Sequence, residues 1–142
     1  MKVCDVVLNS VWYDPRVRKQ ITEYLRQGED IVVVGMKCNR YNEEKIARIP
    51  CEIVIAEINP KYDGKQSNIF RKLRRDRLKN AAVRDAIIAE NPDLIHANDL
   101  NALIPAYEAK KTLGCTLIYD SHEINVENYT GNRQALVAKY MR

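Results

Sequence analysis

The chain has 142 residues, 46% of them hydrophobic and 30% charged, with a formal net charge of +4. That is one domain of ordinary size, able to bury a core without metal or disulfide staples, and a second domain does not fit. No apolar run approaches the length needed to cross a bilayer, so the chain reads as soluble or at most peripheral to a membrane.

Met1-Lys2-Val3-Cys4-Asp5 opens a strand and not a signal peptide, because its apolar run is short and is broken by an aspartate. The first strand is predicted over Val3 to Leu8. Asp14-Pro15 then starts a helix, with an acidic cap and proline at the first helical position. Val17, Ile21, Tyr24 and Leu25 repeat at helical spacing until Gly28. Ile31 to Gly35 reads as a second strand buried on both faces, and Glu52 to Ala56 as a third. A polar loop, Asn59 to Asn68, leads into a long helix from Ile69 to Glu90, closed by Asn91-Pro92. Leu94 to Ala97 is the fourth strand, Leu100 to Leu113 a helix stopped by Gly114, and Cys115 to Tyr119 the fifth strand. Ile124 to Arg142 reads as one or two helical pieces, and its amphipathic end points to a domain cut from something longer.

Strands alternating with helices predict an α/β fold: a Rossmann-like, doubly wound parallel sheet in three αβα layers, with right-handed crossovers and strand order 3-2-1-4-5. In that order the first, fourth and fifth strands are neighbours. The polar groups that follow them, in Asn9 to Asp14, Asn98-Asp99 and Ser121-His122-Glu123, should then line one rim beside the topological switch point, where open parallel sheets bind ligands. Both histidines, His96 and His122, fall at such strand ends. The four cysteines (Cys4, Cys38, Cys51, Cys115) show no C-x-x-C spacing, and three lie in or beside apolar runs. They read as buried free thiols of a reducing cytoplasm, not as a metal site.

Two common nucleotide sites are excluded. Asn9-Ser10-Val11-Trp12-Tyr13-Asp14-Pro15-Arg16 lacks the glycines that let backbone amides cradle a pyrophosphate, and no Walker A lysine loop is present.

Three elements resemble a known family. Asp14-Pro15-Arg16-Val17 is similar to the D-P-R-V element that opens the first helix of GT-B glycosyltransferases of family 4. His96-Ala97-Asn98-Asp99 resembles their H-x-H/N-D element, and Asp120-Ser121-His122-Glu123 their D-x-H-E element. The resemblance, in order and spacing, spans nearly the whole chain. It implies the N-terminal, acceptor-side domain of a retaining, metal-independent transferase without a cofactor. Such an enzyme moves a sugar from a nucleotide-sugar donor to a cell-envelope polysaccharide or lipid-linked acceptor, and the donor is held by a C-terminal domain that this chain lacks. The isolated chain is then expected to be inactive.

By the same resemblance His122 is expected against the donor sugar and phosphate, where a neutral imidazole accepts from a hydroxyl or donates to a phosphate oxygen; otherwise its ring caps the next helix. Asp99 is expected either to accept from an acceptor hydroxyl or to cap the helix at Leu100. Arg16 faces phosphate or pairs with a nearby carboxylate. Asn9, Asp14, Asn98, Ser121 and Glu123 complete the expected substrate-binding set, whereas His96 is expected inside the sheet, satisfied by backbone. A non-catalytic binding module of the same fold, recognising a sugar or a partner chain, is the alternative.

Arg71, Lys72, Arg74, Arg75, Arg77 and Lys79 pack six cations against one anion at the start of the long helix, where the helix dipole disfavours them. Such density points to polyanions. A single neighbouring aromatic, Phe70, argues against nucleic acid, while Phe70, Leu73 and Leu78 beside the charge suit an anionic membrane surface. A solvated basic face is the third option. Localisation is expected to be cytoplasmic, with a peripheral place at the inner face of the membrane.

Overall fold

The computed structural model describes residues 1–8, 11–37, 42–59 and 68–121. Five strands, β1 (Lys2–Val7), β2 (Asp30–Met36), β3 (Glu52–Ala56), β4 (Leu94–Asn98) and β5 (Thr116–Asp120), form one sheet in the order β3-β2-β1-β4-β5. Every pairing is parallel. The helices are α1 (Pro15–Arg26), α2 (Glu43–Ile46), α3 (Ile69–Glu90) and α4 (Asp99–Leu113). This is the doubly wound topology the alternation of patterns predicts.

The core lies in two layers, one on each face of the sheet. On one face Cys4, Val6, Val32, Val34, Ile95 and Ala97 meet Val83 and Ile87 of α3 and Ala102, Ala106 and Ala109 of α4. Alanines on the inner side of α4 let its backbone approach the strands closely. On the other face Val7, Ile31 and Val33 meet Val17 and Ile21 of α1. Leu25 is exposed, because eight residues at about 100° each carry it roughly 80° round the helix from Val17.

Boundaries follow local chemistry. Asp14 accepts from the Arg16 amide at 3.0 Å at the start of α1, and α4 ends at Gly114, whose φ of +72° closes the helix left-handed. Two short pieces escape the periodicity argument: a 3₁₀ turn over Val11–Tyr13 and α2, one turn capped by the Asn42 side chain. Neither is long enough to show a repeat. Cys4 is buried and Cys51 and Cys115 are half-buried, all three as free thiols; burial pushes the Cys51 thiol up to about 11 and raises Cys4 further. Cys38, Asn9, His122, Glu123 and the helical pieces expected over 124–142 lie outside the described residues. No helix among the described residues is long and apolar enough to cross a membrane.

Candidate functional site at the carboxyl rim

The site is built where β1, β4 and β5 end. After β1 the chain makes the 3₁₀ turn, anchored by buried Val11, which delivers Asp14 and Arg16 to the rim. Their side chains form a bidentate pair: the Arg16 Nε and Nη2 donate to Asp14 Oδ1 and Oδ2 at 3.1 and 2.8 Å. Arg16 beside it holds the Asp14 carboxyl below its ordinary range. The same guanidinium reaches toward Asp99 of the β4–α4 junction, with Nη2 3.8 Å from Oδ2. Two of the three expected loops are thus joined through one cation.

Asp99 sits in an uncommon backbone state. It is the first residue of α4, yet its φ is +65°, a left-handed conformation that side chains other than glycine rarely adopt and that clusters at functional sites. The cap position falls on Asn98, which makes no side-chain capping bond. A sharp strand-to-helix turn therefore presents the Asp99 carboxylate, still partly exposed, at the rim.

Beneath that turn lies a polar pair. Asn98 is buried, and its Nδ2 donates to Asp5 Oδ1 and, at 3.4 Å, to the Val6 carbonyl. Asp5 is fully buried in the middle of β1. Burial pushes its carboxyl up to about 7, against the lowering effect of the Asn98 hydrogen bond and with the aid of nearby Asp14 and Asp120. Asp5 Oδ2 and Asn98 Oδ1 have no hydrogen-bond partner among the described residues. Asn98, expected to bind substrate, is placed where it supports the rim from below.

From β5, Asp120 accepts from the Gln20 amide of α1 at 3.0 Å, while Gln20 Oε1 is buried without a partner among the described residues. Ser121 follows it, exposed. His96 is buried in β4 opposite Asp5 in register. Its Nδ1 meets the Tyr24 hydroxyl at 3.0 Å, so that nitrogen is satisfied by a side chain. Arg16, Gln20, Tyr24 and His96 also line an open groove of about 460 Å³ along α1. Among the described residues no three His, Cys, Asp or Glu side chains are grouped to hold a metal ion.

Chemically the rim offers carboxylates and amides that accept from or donate to hydroxyls, and a guanidinium whose planar fork suits phosphate or carboxylate. Periodicity and punctuation do not mark Asp5, Gln20 or the Tyr24–His96 contact as neighbours of the rim, because their partners are distant in the chain. For Asp5 a signal existed, since a carboxylate interrupts an otherwise apolar strand. Of the basic residues, Arg71, Lys72, Arg74 and Arg77 are exposed near the start of α3 and Arg75 and Lys79 are half-buried, with Arg75 donating to Asp76 at 3.2 Å.

No protein-family model matches the chain, and no curated protein matches it. Among solved structures, the glycosyltransferase of kitacinnamycin superposes with a TM-score of 0.64 at 17% identity, over 98% of this chain and 34% of that one. The calicheamicin glycosyltransferase CalG4 gives 0.61 at 13% identity, over 98% of this chain and 36% of its own. The C-terminal domain of a hydrogenase from Pyrococcus furiosus gives 0.57 at 13% identity, over 84% of this chain and 90% of that one. The chain has a Rossmann-like fold shared with domains of these proteins, and it spans about a third of the length of the two glycosyltransferases.

Proposed function

We propose that this chain is the acceptor-side half of a two-domain GT-B glycosyltransferase, one that retains the anomeric configuration and works without a metal. It takes a sugar from a nucleotide-sugar donor, held by a second Rossmann-like half, and passes it to a cell-envelope polysaccharide or lipid-linked acceptor. The observation that carries the reading is the gathering of Asp14, Arg16, Asp99 and Asp120, from the ends of three strands, at one carboxyl rim of a fold that two glycosyltransferases share. In this scheme Asp99 accepts from the attacking acceptor hydroxyl, whose position its sharp turn fixes. Arg16, with two of its five donors spent on Asp14, turns the rest toward the diphosphate across the cleft. His122 supplies a neutral imidazole to the donor sugar. Positioning and electrostatic support of a charge-separated transition state are the contributions asked of these groups, not nucleophilic attack.

Titration calorimetry of the 142-residue chain with UDP-glucose and GDP-mannose tests the division of labour. Because the donor-binding half is a separate unit in this reading, no micromolar binding and no transfer are expected. Micromolar affinity of the chain alone for either donor would overturn it.

A further inference from the structure

The charge of this protein is concentrated in one place. Residues 69–79 carry six cations and one anion, a net of +5, against +4 for the entire chain. The remainder therefore nets −1. We propose that the first half of α3 is a docking element for an anionic lipid surface, built as an apolar tip set among cations.

The geometry comes from a mismatch of lengths. α3 has 22 residues, about 33 Å at 1.5 Å per residue, whereas strands of five to seven residues span about 17–23 Å at roughly 3.3 Å each. The helix ends at the amino rim, where Glu90 meets Lys2 at 3.0 Å, so its first turns project past the carboxyl rim. Residues 68–74 are exposed without interruption. Three of them are large and apolar: Ile69 (65% exposed), Phe70 (77%) and Leu73 (54%).

The helical period shows what these three do. Ile69 and Leu73 continue the stripe that buries Val83 and Ile87 in the core, but Asp76 and Asn80 break that stripe where the helix leaves the sheet. The inner apolar stretch is thus satisfied by the protein, and the outer one offers its surface to something else. Around it stand Arg71, Lys72, Arg74 and Arg77, all exposed, and the stretch's one anion, Asp76, is engaged by Arg75. Cations in the first turns oppose the helix dipole, so helix stability does not account for them. Apolar side chains that enter the headgroup layer, ringed by cations that attract anionic lipid, are the composition of an interfacial anchor. Nucleic acid fits less well, because stacking surfaces would be needed along the groove and Phe70 stands alone.

Docking at this tip turns the carboxyl rim, with Asp99 and Arg16, toward the bilayer. The surface stands on exposure and charge alone, so its failure and that of the transferase reading are separable.

Sedimentation with phosphatidylcholine vesicles, with and without phosphatidylglycerol, tests it on the 142-residue chain. Binding should require the anionic lipid and fall at least tenfold between about 0.01 M and about 0.15 M ionic strength, as the screening length shrinks from roughly 30 to roughly 8 Å. Arg71→Glu, Lys72→Glu and Arg77→Glu together should lower partitioning about 100-fold or more, at roughly fivefold per cation removed. Ile69→Ser, Phe70→Ser and Leu73→Ser together should leave low-salt binding in place and lower retention at physiological salt about tenfold. All six side chains are exposed, so circular dichroism of both variants should match the parent. Equal sedimentation with neutral vesicles, a charge-reversal variant that partitions like the parent, or displacement of bound protein by an oligonucleotide at concentrations below those of competing anionic vesicles would each overturn the assignment.

Discussion

The two rims of the sheet are built on opposite principles. At the amino rim each of three charges meets its complement: the Met1 ammonium and Glu29 at 2.7 Å, Lys2 Nζ and Glu90 at 3.0 Å, and the Asp93 carboxylate with the Lys2 amide at 2.8 Å. At the carboxyl rim Asp14, Asp99 and Asp120 gather near Arg16, and Asp5 lies buried beneath them near Asp14 and Asp120. There Asp99 is held left-handed, and Asp5 Oδ2, Asn98 Oδ1 and Gln20 Oε1 are buried without partners among the described residues. Backbone strain such as that at Asp99 clusters at functional sites, so the two rims differ in strain at one end and charge pairing at the other.

The largest test of that contrast is on turnover. In the two-domain transferase proposed above, Asp99→Ala and His122→Ala should each lower kcat/KM by roughly 10²-fold or more, the scale seen when a preorganised polar group at a reacting centre is removed. Lys2→Met at the opposite rim should leave kcat/KM unchanged. Steady-state kinetics on the three variants, with thermal melts to confirm folding, would break the comparison if the two rims responded alike.

Next in size is the buried carboxyl beneath the rim. The Asp5 carboxyl stands at about 7 in the fold because of burial, well above its range in the unfolded chain. Between about pH 4 and pH 7 the folded state therefore binds the proton that the unfolded state has released. Stability from this group is fully present below the unfolded value and is lost as pH rises through 7, by something on the order of 2–4 kcal/mol. Asp5→Asn keeps the shape, keeps an acceptor for Asn98 and removes the titration. Urea unfolding at pH 5 and pH 8 should show the parent losing stability between the two while D5N stays level and exceeds it at pH 8. A parent as stable at pH 8 as at pH 5 would show that the buried carboxyl is satisfied in the fold after all.

What could be read in advance divides along the same line. Sheet order, the span of α3 and the ends of α1 and α4 follow from periodic apolar residues and from local punctuation at Asp14-Pro15, Asn91-Pro92 and Gly114, because each depends on neighbours in the chain. The convergence of Asp14, Arg16 and Asp99 followed from strand order. The place of Asp5 does not, since its partner Asn98 stands 93 residues away and an aspartate within the Val3–Leu8 run marks only a break in an apolar stretch. The left-handed turn at Asp99 was equally hidden. Ordinary spacing makes that aspartate a helix cap, and only the tertiary fit of β4 into α4 moves the cap to Asn98.

The smallest effect belongs to the amino rim and concerns the Lys2–Glu90 pair. Its ammonium pKa is raised, chiefly by the Glu90 hydrogen bond, yet both side chains keep contact with water, at 34% and 18% exposure. Pairs of this kind contribute about 0–1 kcal/mol, because water screens the attraction and ordering two long side chains costs entropy. Lys2→Met should therefore lower unfolding free energy by about 0.5 kcal/mol at low ionic strength and by less as salt screens the pair. Denaturant titrations at low and high salt would measure it. A loss of several kcal/mol that persists in high salt would place a structural keystone at the amino rim, and the contrast between a merely neutralised end and a strained one would no longer hold.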